Sequence, residues 1–253
     1  MKTDRFGVPI LDRNDLERIA ETFLSRYAAE VLEAPRFTPL GRILQELKQK
    51  GLTIDLSASL GLSPEGHRYL GSFEPTSLTI RIDQILLQND PRFPFTVAHE
   101  LGHFLLHRNV DLLALDASGS EIRDTTRHLA LNRVDAGNPR SFVEWQANRF
   151  ATGILLPRRT VANAIQAIQI ELGISRNLGT IWIDASDSSR EDYRETVIRL
   201  AALYQASRAV VRYRLDDLGF LREFRSNGGG FSSLGSFMEE AAAESDEDEP
   251  NGN

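Results

Sequence analysis

The run from Phe93 to Leu106, FPFTVAHELGHFLL, constrains this chain more than any other stretch. Apolar residues flank His99, Glu100 and His103 on both sides, which demands a buried helix. Those three side chains cannot be buried cheaply without a partner. On a helix, His99 and His103 stand four residues apart, one above the other on the same face. Two imidazoles so placed can approach one cation from a rigid platform, at about 2.0–2.1 Å each. Glu100 lies beside the first of them, where its carboxylate can reach a water on that cation without ligating it. This is the HExxH arrangement, with His99 and His103 as metal ligands and Glu100 as general base. Gly102 is expected to leave the helix surface open beside the site.

The chain has no cysteine, so a metal must be held by His, Asp or Glu. His107 continues the histidine series, but on a helix its Cα lies about 12 Å along the axis from that of His99. That is too far to share an ion, and His107 reads as packing or as a partner behind a ligand. The longer signature HExxHxxGxxH is absent, because Leu106 and Asn109 occupy its last two defining places. A carboxylate must therefore complete the set. Glu144 is the best placed, near the start of a helix expected over 139–156. Its helical neighbours Ala147, Asn148, Ala151 and Leu155 form a largely apolar face, and a carboxylate on such a face needs a partner. Asn148, one turn on, can orient a ligand. The rivals Asp111, Glu121, Asp124 and Asp135 fall in a polar stretch, 108–137, with little periodicity, where exposure is the default. Three protein ligands leave one coordination position open, which is the catalytic pattern.

Around this centre the pattern reads as mixed α and β. Leu16, Ile19, Ala20, Phe23, Leu24, Tyr27, Ala28, Val31 and Leu32 form one stripe, predicting a helix over 14–32 with Asn14 as its N-cap. A shorter helix over about 40–49 stops at Gly51. Three strand-like runs follow, 52–56, 67–73 and 77–83, the last two flanking a turn that suggests a hairpin. The run 77–82 could pair with an extended substrate if it forms a sheet edge. Asn138-Pro139 is an N-cap and N1 pair, and a further helix is expected over 160–172. Residues 191–221 read as helix, short turn, helix. There Val210, Val211 and Tyr213 could present an apolar surface to another helical protein.

The net charge of −7 has a local origin: residues 239–249 alone hold seven acids, leaving the rest with as many acids as bases. Global charge thus gives no argument for nucleic-acid binding. Near the C-terminus, Gly-rich and acidic residues supply no core, so 226–253 is expected to be disordered. No apolar leader segment opens the sequence and no run of 18 apolar residues occurs, so a cytoplasmic location without membrane insertion is expected.

The segments RFPFTVAHELGHFLLHR and EWQANRFATGILLP, with LGSFEPTSLTIRID before them and LAALYQASRAVVRYRLDDLGFL after, resemble the ImmA/IrrE family of metallo-endopeptidases. The resemblance covers roughly residues 10–221. It implies an α+β fold, a small, mostly antiparallel sheet with helices around a metal site, followed by a small helical region. It implies His99, His103 and Glu144 as zinc ligands, with other divalent ions acceptable to the same donors, and Glu100 as the base. The implied substrate is a protein, a helix-turn-helix repressor whose cleavage derepresses mobile-element or stress-response genes. The expected division is a peptidase domain over 1–185, a helix-turn-helix-like region over 186–225, and the acidic tail over 226–253. The alternative is a regulatory DNA- or protein-binding module with an inactive or structural metal site.

Overall fold

A computed structural model describes residues 2–111, 121–125, 138–184 and 186–223. The fold is α+β, with eight α-helices and a four-stranded sheet among the described residues. The tail expected over 226–253 lies outside the described residues.

Helix α1 (Arg13–Tyr27) is capped by Asp12, two residues before the expected Asn14. Asp12 accepts from the Asp15 backbone while Asp15 reaches back to the Asp12 backbone, a reciprocal cap that Asn14 cannot form from inside the helix. The expected single helix over 14–32 is interrupted at Ala28, which adopts φ −158°, and resumes as the short α2 (Glu30–Glu33). Part of the lost ladder is replaced, since Arg42 donates to the Tyr27 carbonyl at 3.1 Å. The break still lets both Ala28 and Val31 bury their side chains. Helix α3 (Leu40–Gln49) stops where expected, and Gly51 takes φ +95°.

Strands β1 (Thr53–Ala58), β2 (Tyr69–Glu74) and β3 (Thr79–Asp83) follow, then a short 3-10 turn over Gln84–Leu87. β2 and β3 form the expected antiparallel hairpin. The sheet order is β1-β3-β2-β4, with β1 parallel to β3 and the other pairs antiparallel. β3 is therefore an interior strand paired on both sides, so the edge position on which substrate pairing by 77–82 depended is not met. The edge next to the site is instead β4 (Ile122–Thr125).

Helix α4 (Phe93–Leu106) packs under β2 and β3, and against α5 (Pro139–Leu155) on its other side. Asn138 caps α5 through its side chain, as its sequence position predicts. At Gly102 the reading of open space is corrected. A Cβ there would stand 3.0 Å from Ala147 Cα and 3.2 Å from Ala147 O, so the missing side chain is what lets α5 approach. Without that approach, Glu144 would not reach the face of α4 that carries the histidines.

Helix α6 (Arg158–Glu171), strand β5 (Ile181–Ile183), helices α7 (Asp187–Tyr204) and α8 (Arg208–Asp217), and strand β6 (Leu221–Glu223) complete the chain. Ser207 caps α8, giving the expected helix, short turn and helix. β5 and β6 form a separate parallel pair. Val197, Leu200, Val210, Val211, Tyr213 and Leu215 belong to the same apolar core as α1, α4 and α5. Val210, Val211 and Tyr213 thus face inward, and the apolar surface they were expected to show to a partner is spent on the protein's own core.

Candidate metal centre

The site forms where α4, α5 and β4 meet. His99 and His103 project from one face of α4, with their Nε2 atoms 2.8 Å apart. Glu144 Oε2, from the second turn of α5, lies 3.2 Å from His99 Nε2 and 3.4 Å from His103 Nε2. Two donors each bonded to one ion at about 2.0–2.1 Å stand at most roughly 4.2 Å apart, so this convergence suits a single cation. The sequence-predicted ligands His99, His103 and Glu144 are brought together.

One rival carboxylate joins them. Asp124 Oδ2 is 3.6 Å from His99 Nε2 and 3.4 Å from His103 Nε2, nearly as close as Glu144. The four residues offer ligand atoms that all lie within 4.8 Å of one another. The expected exposure of Asp124 is corrected, for its side chain is fully buried. Ile122 and Asp124 alternate with Arg123 along β4, so both point inward and Arg123 outward. That two-residue period was the available signal, and in four residues it is too short to stand out. Glu121 is drawn away to Arg81 at 2.9 Å and Ser72 at 2.9 Å. Asp111 is exposed, and Asp135 lies outside the described residues.

Behind the ligands, side chains fix their tautomers. His99 Nδ1 donates to Asn148 Oδ1 at 2.8 Å, leaving Nε2 free to ligate, which is the orienting role expected of Asn148. His103 Nδ1 meets His107 Nδ1 at 2.9 Å, His107 Nε2 meets Gln146 Oε1 at 3.0 Å, and the Gln146 amide donates to the Pro9 carbonyl at 2.6 Å. One direction of donation satisfies the whole series, with each ring donating outward from the site and His103 Nε2 left as the lone pair. His107 thus stands behind His103, between it and Gln146. Burial, with the neighbouring His103, holds its imidazole down at about 3, so it stays neutral. Arg140, one turn before Glu144, lies 3.3 Å from Glu144 Oε1 and 3.4 Å from Asp124 Oδ1.

Glu100 faces the sheet. A Cβ on Gly71 of β2 would stand 2.1 Å from Glu100 Oε1, so the carboxylate occupies the place a side chain would take. Neither Glu100 oxygen has a hydrogen-bond partner among the described residues. Burial, then the charges of Asp124 and Glu144, push its carboxyl well above the usual range. Burial alone would keep His99 neutral, but Asp124 and Glu144 override it and push the imidazole up to about 10. Against the same burial, His103 and His99 hold Glu144 down at about 2. Three fully buried carboxylates beside two converging imidazole nitrogens are a donor set that fits a divalent ion.

Residues 66–216 match the family model described as the IrrE N-terminal-like domain, a peptidase family. The chain belongs to this family. The match spans α4, β4 and α5, and takes in α7 and nearly all of α8. No curated protein matches the chain. An IrrE N-terminal-like peptidase domain acts on a protein substrate, and its buried His, Asp and Glu group suggests a metal site. Among the described residues of this domain, no helix is long and apolar enough to cross a membrane.

Proposed function

We propose that this chain is a zinc-dependent endopeptidase in which His99, His103 and Glu144 hold the ion and Glu100 is the general base. The observation that carries the reading is the convergence of both Nε2 atoms and Glu144 Oε2 beside a buried Glu100 without hydrogen-bond partners. When bound, a divalent ion polarises a peptide carbonyl and brings the pKa of water at the site to about 7. Glu100 takes the proton of the attacking water and delivers it to the departing amine. Burial and the carboxylates of Asp124 and Glu144 raise the Glu100 carboxyl, so a cation held by the imidazoles and Glu144 would favour its carboxylate form, the form that accepts a proton. Asn148 and the His107–Gln146 pair hold the two imidazoles so that their Nε2 lone pairs point at one spot. Arg140 holds Glu144 from the side away from the imidazoles.

The substrate we infer is a helix-turn-helix repressor in the same cytoplasm, cleaved to derepress its target genes. The support for this finer reading is the family match together with the sequence resemblance.

Glu100→Gln tests the mechanism. Gln preserves size but cannot accept the proton, so the variant keeps its metal and fold while proteolysis falls about 10²–10⁴-fold. Cleavage of the repressor encoded nearest the gene, followed by gel, with metal content measured alongside, reads this out. Activity within twofold of wild type removes Glu100 from the mechanism.

A further inference from the structure

We infer that Asp124 is a fourth protein ligand, and that β4 thereby holds the site in a closed, latent state. The inference rests on the metal assignment proposed above and concerns what fills its remaining position. Asp124 reaches the two imidazoles from the opposite element to Glu144: one carboxylate comes from α5 and the other from the sheet edge. Its Oδ2 is 3.4 Å from His103 Nε2, the same separation as Glu144 Oε2 shows. A catalytic zinc keeps three protein ligands and one position for water or substrate, whereas four protein ligands are the closed, structural arrangement. Two imidazoles and two carboxylates within 4.8 Å make a closed set.

Accessibility agrees with this. His99, Glu100, His103, Asp124 and Glu144 are each 0% exposed. A peptide carbonyl has no approach to Glu100 while β2 and β4 lie over it. β4 is also the piece of the enclosure most easily moved. Among the described residues it is four residues long and an edge of the sheet, and its pairing with β2 is broken by a register shift between Tyr69 and Gly71. Interior β3 and the two packed helices cannot yield without opening the core, but an edge strand can unpair from one neighbour. Displacement of β4 withdraws Asp124, frees one coordination position and uncovers Glu100 in a single movement. Arg140, which contacts both carboxylates, remains on α5 with Glu144 and keeps that ligand in place.

Cobalt-substituted protein tests this without a substrate. Its visible absorption reports the ligand set, and acetohydroxamic acid reports whether a coordination position is open. Wild-type protein is expected to bind the ion and show little spectral change with millimolar acetohydroxamate. Asp124→Ala is expected to bind the ion about 10–100-fold more weakly and to respond to the hydroxamate. Asp124→Asn, of the same size, should fall between them and guards against misfolding, with circular dichroism as the check. Equal hydroxamate responses in wild type and Asp124→Ala, or equal metal affinities, overturn the inference. If instead Glu144→Ala binds the ion as tightly as wild type, the underlying assignment fails, a distinct outcome. Proteolysis separates a plug from a working ligand: Asp124→Ala cleaving several-fold faster than wild type supports latency, and loss of cleavage with metal retained overturns it.

Discussion

Helix α5 buries charge on two of its faces, and the two clusters are built on different terms. On the face toward α1 and α8, Arg149 pairs with Asp217 at 2.5 Å, and Arg214 donates to Glu17 at 2.8 Å and to the Leu156 carbonyl at 3.0 Å. Two buried guanidiniums meet two carboxylates, so their charges balance. On the face toward α4, Glu144 joins Asp124 and Glu100, and Arg140 is the guanidinium beside them among the described residues. The oxygens of Glu100 are left without hydrogen bonds. A buried cluster with matched charges ties elements together. One with three carboxylates and converging imidazoles is poised to accept a further positive charge.

The strongest way to break the comparison is to unbalance the matched cluster. Arg214→Ala removes the guanidinium that pairs with Glu17 and a donor from the Leu156 carbonyl, at a cost of about 3–5 kcal/mol. Urea unfolding should show this loss, while zinc affinity in the folded variant stays near wild type. A large loss of zinc affinity instead would mean the two faces are coupled through α5.

Zinc should sharpen it from the other side. At a free concentration 100 times the Kd, an ion bound by the native state alone adds about 2.7 kcal/mol of stability. Thermal melts with zinc and with EDTA should therefore separate for wild type and coincide for Glu144→Ala. Binding also displaces protons, because the metal-free His99 titrates at about 10 and must be neutral to ligate. Zinc affinity should thus rise with pH through neutrality, and calorimetry in buffers of different ionisation enthalpy should detect the released proton. A pH-independent affinity between 6 and 8 would contradict the ligand role of His99.

Asn148→Ala should give the smallest effect, because it removes only the orienting acceptor behind His99. Zinc affinity is expected to fall about 10–100-fold, with Asn148→Asp restoring most of it. An effect as large as that of Glu144→Ala would make Asn148 structural to α5 rather than an orienting residue.

Local chemistry was enough, in the sequence, to place the helix carrying His99, Glu100 and His103. It also placed the Asn138 cap of α5, the β2–β3 hairpin, and Glu144 as a carboxylate on an apolar face. These follow from side-chain periodicity and from donors and acceptors a few residues apart, which the order of residues fixes. The tertiary structure alone decided three other matters. Gly102 serves the close approach of α5, because the value of a missing Cβ depends on which backbone lies 3.0 Å away. β3 is interior, because strand order is set by β1 and β2 together rather than by the strand's own pattern. Asp124 stands among the metal donors, because burial of a residue in a four-residue strand is conferred by the sheet and helix around it. A carboxylate 21 residues after His103 carries no local mark of its destination, and only the tertiary packing of β4 turns it from an expected surface charge into a buried neighbour of His99 and His103.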